Sequence, residues 1–262
     1  MKDLTPMKKL LMIMVYAVSV LGTACSNTSV DTHVLLEHAK IAIANQDFRE
    51  AVHYLEAAIH TGTLDQERLA EAYKDLGRAY NETGHYPQAL AALNQALQGK
   101  KDYRAAYVNR CWTYVGLNQP QRAIADCSEA LRLDPTDAKA YHNRAVAYLQ
   151  FTKPQQAVAD LKEAVRWVPD SSSYLTSLCG AYTMAQQFGQ AIASCDQALH
   201  LNPVEWKAYA NRGSAYCATG QPDRADADFK RALDIKPGDA DLLENRKRCA
   251  SGKPGALSVV PK

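Results

Sequence analysis

The chain has 262 residues, a formal net charge of +2 and 22% charged residues. This balance is ordinary for a soluble domain and lacks the basic field that would argue for nucleic-acid binding. There is no Gly-rich phosphate loop, nucleophile elbow or His-Glu-x-x-His pattern, so enzyme chemistry is not expected.

The N-terminus carries an export signal. Lys8 and Lys9 precede an apolar run from Leu10 to Leu21, which ends in Gly22-Thr23-Ala24-Cys25. The run is too short for a comfortable membrane-spanning helix, and residues 1–24 read as a signal peptide. Small residues before a cysteine resemble the lipobox of bacterial lipoproteins. That resemblance implies cleavage before Cys25 and acylation (palmitate) at its thiol and new amine, with residues 25–31 as a short tether. Several acyl chains would anchor firmly where one would not. Gly22 stands where leucine is usual, and cleavage after Ala24 without lipidation is the alternative. Ser26, where aspartate would mark inner-membrane retention, favours the outer membrane of a Gram-negative cell, facing the periplasm; a soluble periplasmic or secreted form is the alternative. Met7 is an alternative start.

From residue 32 onward the chain repeats. Alanine pairs seven residues apart occur at Ala51/Ala58, Ala89/Ala96, Ala123/Ala130, Ala157/Ala164, Ala191/Ala198 and Ala225/Ala232. Successive pairs are 34 residues apart, except the first step, which is 38. With these alanines at repeat positions 20 and 27, tyrosines fall at position 11 in five units and prolines at position 32 in four. Apolar residues at 4, 7, 8 and 11, and at 20, 24 and 27, form two helical stripes. Gly84 and Gly220, at position 15, break the helices apart, and the proline ends the second. Each unit is therefore predicted to be a helical hairpin, and a stack of hairpins builds a surface for binding. Four extra residues near His60–Leu64 are assigned to the closing loop of the first unit.

The pattern Tyr73, Leu76, Gly77, Tyr80, Ala89, Leu93, Ala96 resembles the tetratricopeptide repeat (TPR) family, here as a bacterial TPR lipoprotein. The expected fold is all-α, a right-handed α-solenoid of about six TPR hairpins over residues 32–239. Residues 240–250 form a capping helix with a charged face, and 251–262 a flexible tail.

Two sets of residues at a constant offset are read as structural. Position 7 is Arg110, Arg144 and Arg212 in the units whose position 23 is Asp126, Asp160 and Asp228. Both vanish together elsewhere, as in Leu76 with Ala92, so three ion pairs within hairpins are expected. Cys111/Cys127 and Cys179/Cys195 share the same offset of 16, at positions that are otherwise a small residue facing a large one. In an oxidising compartment they read as two disulfides, and Cys217 with Cys249 as a third; free thiols are the alternative. No compact Cys/His cluster is present, so neither metal nor cofactor is expected. The seven histidines are scattered; His38, His53 and His60 read as solvated or packing residues.

In the TPR family the first helices line a concave groove through positions 2, 5, 6, 9, 12 and 13. The resemblance implies a charged entrance at Lys74 and Arg78 and an apolar middle of Val108, Trp112 and Val146, with Trp112 either a peptide anchor or a packing residue. Lys74, Asn109 and Lys139 also resemble part of the carboxylate clamp of chaperone-binding TPR domains. Arg78 and Asn143 depart from the clamp at its other two positions. The expected function is a non-enzymatic scaffold or adaptor at the bacterial envelope, binding a peptide or protein segment in the groove. By analogy of layout it would help assemble an outer-membrane, secretion or pilus complex. The alternatives are an accessory subunit that delivers substrates to a periplasmic protease or cell-wall hydrolase, and an enzyme with an unrecognised site. Neither nucleic acid nor a small-molecule substrate is an expected partner.

Overall fold

The computed structural model describes residues 31–251; the expected signal peptide, Cys25 with its tether up to residue 30, and residues 252–262 of the tail lie outside them. Thirteen helices and no strand occur among the described residues. They form six antiparallel hairpins: α1 (Thr32–Ala44) with α2 (Phe48–His60), α3 (Gln66–Glu82) with α4 (Tyr86–Gly99), α5 (Arg104–Gly116) with α6 (Pro120–Leu133), α7 (Ala138–Gln150) with α8 (Pro154–Trp167), α9 (Ser172–Met184) with α10 (Phe188–Leu201), and α11 (Trp206–Ala218) with α12 (Pro222–Ile235). A final helix, α13 (Ala240–Ala250), packs on α12. Each hairpin contacts the next, and the stack is an all-α solenoid.

Local chemistry sets the boundaries. Asp31, Asp47, Asp65, Asp137, Ser171 and Asp239 accept a backbone N–H of the first turn that follows them. Pro120, Pro154 and Pro222 occupy the first helical position, where a missing N–H costs nothing. Position 15 has a positive φ in all six hairpins: Gln46, Gly84, Asn118, Thr152, Gln186 and Gly220. The turn therefore demands a left-handed residue at every unit, although only two units supply glycine.

The twelve periodic alanines are fully buried, because the two helices of a hairpin, and the next hairpin, meet at their Cβ atoms. At Gly77 an added Cβ would lie 2.4 Å from Leu93 Cγ, so the small residue at position 8 makes room for the large one at position 24. In two hairpins a disulfide replaces that packing: Cys111–Cys127 and Cys179–Cys195 are bonded, and Cys217–Cys249 ties α11 to α13.

The three arginines at position 7 each make a bidentate bond to the aspartate at position 23. Nε and Nη2 lie 2.7 and 2.8 Å from Asp126 in Arg110, 2.7 and 2.8 Å from Asp160 in Arg144, and 2.8 and 2.7 Å from Asp228 in Arg212. Each Nη1 reaches back to position 25 of the preceding hairpin, at Asn94, Ser128 or Asp196, so the arginine also stitches neighbours together. Recurrent tyrosines stack on the same guanidinium groups, as Tyr107 and Tyr114 do on Arg110. Burial alone would lower the pKa of Arg110 and Arg144, but the bonded aspartate outweighs it and raises both.

The four extra residues of the first step are not in the loop after His60. Helix α3 has 17 residues where the other first helices have 13, so they form an added N-terminal turn, Gln66–Leu69. Gln66 Nε2 donates to the Gly99 carbonyl at 3.0 Å, which holds this turn against α4.

Candidate functional site

The first helices α3, α5 and α7 enclose a pocket of 280 Å³ lined by charged groups and floored by Val108 and Asn109. Five of the expected binding residues meet there: Lys74, Arg78, Val108, Asn109 and Lys139. Lys74 Nζ lies 2.6 Å from Asp75 Oδ1. Burial alone would lower the pKa of Lys74, but Asp75 outweighs it, with help from Tyr103 and Glu71, and the net shift is upward. Arg104 pairs with Asp137 and lies 3.7 Å from Asp134.

Two cations remain without a carboxylate. Arg78 is half-buried, and its Nε is buried with no hydrogen-bond partner among the described residues. Lys139 is exposed to solvent yet flanked by protein; desolvation first, then the Arg78 charge, lowers its pKa against the opposing pull of Glu82.

The expected apolar middle is not formed. Val108 is 4% exposed, Asn109 7%, Asn143 2% and Val146 1%, so Val108 and Asn109 reach the pocket only as its floor and Asn143 and Val146 do not line it. They lie at the seam between successive first helices, where the turn-to-turn packing of the stack covers them. Asn143 Nδ2 donates to the Val108 carbonyl at 3.3 Å and serves as a stitch between α7 and α5. Asn109 contributes its carbonyl, which accepts from Asn81 Nδ2 at 2.9 Å. Trp112 is half-buried and packs against a core cluster that includes Cys111, Cys127 and Val146, as a packing residue would.

Sequence reasoning did not single out Arg104 or the contacts that His142, at groove-facing position 5, makes with the next first helix. His142 Nε2 lies 3.0 Å from Ser177 Oγ, and its ring stacks on Tyr174 with centroids 5.0 Å apart. Burial, reinforced by Lys139 and Lys207 and opposed by a bond from Asn143, lowers the His142 pKa to about 4. The signal was available: position 5 is histidine in that unit alone. No group of three or more His, Cys, Asp or Glu side chains is placed to hold a metal ion among the described residues.

Tetratricopeptide repeat models match residues 36–106, 105–137, 127–159 and 184–240, which spans most of the solenoid. The chain belongs to the tetratricopeptide repeat family. No curated protein matches its sequence. Among solved structures it is similar to a TPR protein of Parabacteroides merdae, with 19% identity, 85% of this chain and 87% of that one covered, and a TM-score of 0.66. It is similar to pilF of Pseudomonas aeruginosa at 15% identity, with 83% and 97% covered and a TM-score of 0.68. YrrB, described as a TPR protein with an unusual peptide-binding site, aligns at 18% identity over 68% of this chain and 92% of that one, with a TM-score of 0.56. At these identities the likeness is one of fold.

Proposed function

We propose that this TPR chain is a protein-binding scaffold that captures an acidic or carboxylate-bearing polypeptide segment in the α3–α5–α7 pocket. The observation that carries this is the pair Arg78 and Lys139. The nearby carboxylates Asp75 and Asp137 are engaged by Lys74 and Arg104, while Arg78 Nε is buried and unpartnered. An incoming carboxylate would satisfy that donor and relieve the repulsion between the two cations. A fold that YrrB, by its description, also uses for peptide binding is consistent with this reading. The partner is expected at the bacterial envelope, because the Lys8-Lys9 and Leu10–Leu21 signal and Cys25 read as an export and lipidation sequence. In that setting the scaffold would support assembly of an envelope complex.

The test is affinity purification from a membrane extract, with mass spectrometry of what co-elutes, for the wild type and for Arg78→Glu with Lys139→Glu. The double variant should lose the specific partner, and wild-type capture should weaken at high salt. An unchanged set of co-eluting proteins overturns the pocket assignment. Separately, Cys25→Ser should abolish incorporation of labelled palmitate; equal labelling of both proteins rules the anchor out.

A further inference from the structure

The second hairpin carries most of a cation site without the cation. In the third, fourth and sixth units a guanidinium group sits in one recurring environment. Tyrosines stand at positions 4 and 11 of its own unit, and position 25 of the preceding unit accepts a hydrogen bond from it. Arg110 lies 5.5 and 5.9 Å from the ring centres of Tyr107 and Tyr114, and Arg212 lies 5.5 and 5.9 Å from those of Tyr209 and Tyr216. Arg144 lies 5.7 Å from Tyr141. The electron-rich ring face attracts the cation, and the acceptor takes one of its N–H groups.

In the second unit the same positions are Tyr73, Tyr80 and, on α2, Glu56, but position 7 is Leu76 and position 23 is Ala92. A leucine is too short to reach the place the guanidinium group takes in the other units. A hollow of 510 Å³ lies between Glu56, Tyr73 and Leu76, bordered by His53, Ile59 and His60. Its volume is that of a small-ligand site. Glu56 is exposed, and its Oε1 accepts from the Tyr80 hydroxyl. It makes no ion pair among the described residues, so its charge is uncompensated there.

A missing arginine does not by itself leave such a site. The fifth unit also has leucine at position 7, Leu178, but its position 4 is Leu175 and position 25 of the unit before is Lys162. There one ring and the acceptor are absent along with the arginine, and only Tyr182 remains. In the second unit both rings and the acceptor are present. That acceptor is a carboxylate, where the third and fourth units use the neutral Asn94 and Ser128. Positions 4, 7, 11 and 25 are not groove-lining positions, and the hollow shares no residue with the α3–α5–α7 pocket.

We propose that the hollow between α2 and α3 is a binding site for a guanidinium group supplied from outside the fold. The group stacks on Tyr73 and donates to Glu56, as Arg110 stacks on Tyr107 and donates to Asn94. With alanine at position 23 there is no second carboxylate to lock it in place, so the occupant exchanges. The source is an arginine side chain of another polypeptide or a small free molecule, and the chemistry of recognition is the same for both.

The test is an NMR titration of the full-length protein, with isotope-labelled tyrosine rings, against N-acetyl-arginine amide. The neutral isostere N-acetyl-citrulline amide is the control, and neither compound has a carboxylate for the Arg78 and Lys139 pocket to take. The arginine compound should shift the Tyr73 and Tyr80 resonances saturably, and the citrulline compound should not. Glu56→Gln, an exposed change, should weaken binding about fivefold or more. Leu76→Arg with Ala92→Asp supplies the chain's own guanidinium and its partner, as Arg110 and Asp126 do, and should abolish binding. If that double variant does not fold, Glu56→Gln decides. Tighter binding of an arginine within a glycine peptide assigns the ligand to a polypeptide, and equal binding assigns it to a small molecule; both sustain the site. Absence of a saturable shift, equal shifts with citrulline, or binding indifferent to Glu56→Gln overturns the proposal. So does binding retained by a folded double variant.

Discussion

The first two hairpins and the last four are built from one repeat but held together by different chemistry. From α5 onward the stack contains three disulfides and three bidentate arginine–aspartate pairs, each arginine also reaching the preceding hairpin. Hairpins α1–α2 and α3–α4 have neither device: Leu76 faces Ala92 and Gly77 faces Leu93. They rely on apolar packing, and a cleft of 880 Å³ lined by Leu36, Ile43, Leu64 and Ala72 opens at their junction. In a linear stack, stability is set locally and by nearest neighbours, so one chain can carry a stapled half and a compliant half.

Reduction is the strongest way to break this comparison. A disulfide closing a loop of about 15 residues stabilises by about 3 kcal/mol in the chain-entropy model. Both intra-hairpin bridges have a sequence separation of 16. Reductant should therefore sharply lower the melting temperature, and hydrogen exchange should rise in α5–α13 while α1–α4 keep their rates. Uniform loss of protection along the chain would show that the two halves unfold as one.

A smaller but more specific effect is expected at the ion pairs. Asp160→Ala leaves the Arg144 guanidinium half-buried without its partner and should cost about 3 kcal/mol. Arg144→Leu combined with Asp160→Ala converts the unit to the Leu76/Ala92 chemistry of the second hairpin and should cost less than about 1 kcal/mol. Denaturant unfolding of the two variants distinguishes them. Equal losses would mean the pair itself, rather than the orphaned charge, carries the stability.

Acid should expose a weak point inside the stapled half. Unit five has Ser177 at position 6, where its neighbours have asparagine, and its junction is bridged by His142. The folded-state pKa of His142 is lowered to about 4, so the unfolded chain takes up the proton first as pH falls. The contribution is fully present above about pH 6.5 and is lost towards pH 4, amounting to about 2–3 kcal/mol. His142→Gln should remove this part of the pH dependence in melting curves taken between those limits. Identical pH profiles for variant and wild type would remove His142 from the account.

Much of this architecture was legible in the sequence, because a period of 34 residues aligns positions that can be compared with each other. Covariation of position 7 with position 23 pointed to facing residues, as did the cysteine offset, and the structure places those residues in contact. The groove was less legible. Repeat position says which side of a helix a residue occupies, but not how tightly the next helix covers it, and Val108, Asn109, Asn143 and Val146 are covered. The 38-residue step gave the size of the insertion but not its place. Four residues fit equally a longer loop or one more helical turn; the cap at Asp65 and the Gln66–Gly99 bond settle it as a turn.

The smallest expected effect tests whether that turn and Asp75 act together. At position 6, Asn143 and Asn211 donate to the preceding first helix, whereas the second unit has Asp75. Asp75→Asn alone supplies a donor that α1 is not in place to accept and removes the partly buried Lys74 pair, so it should cost about 1 kcal/mol. Deleting Gln66–Leu69 alone restores the 34-residue step yet leaves a carboxylate facing a carbonyl, and should be destabilising. Together they recreate a regular junction. The donor can then reach the backbone of α1, as Asn143 reaches Val108, for a gain of about 1 kcal/mol over the sum of the separate changes. A double-mutant cycle by denaturant unfolding measures that coupling. Additive effects would mean that the two features widen the junction independently, and that an asparagine at position 6 follows regular stacking rather than producing it.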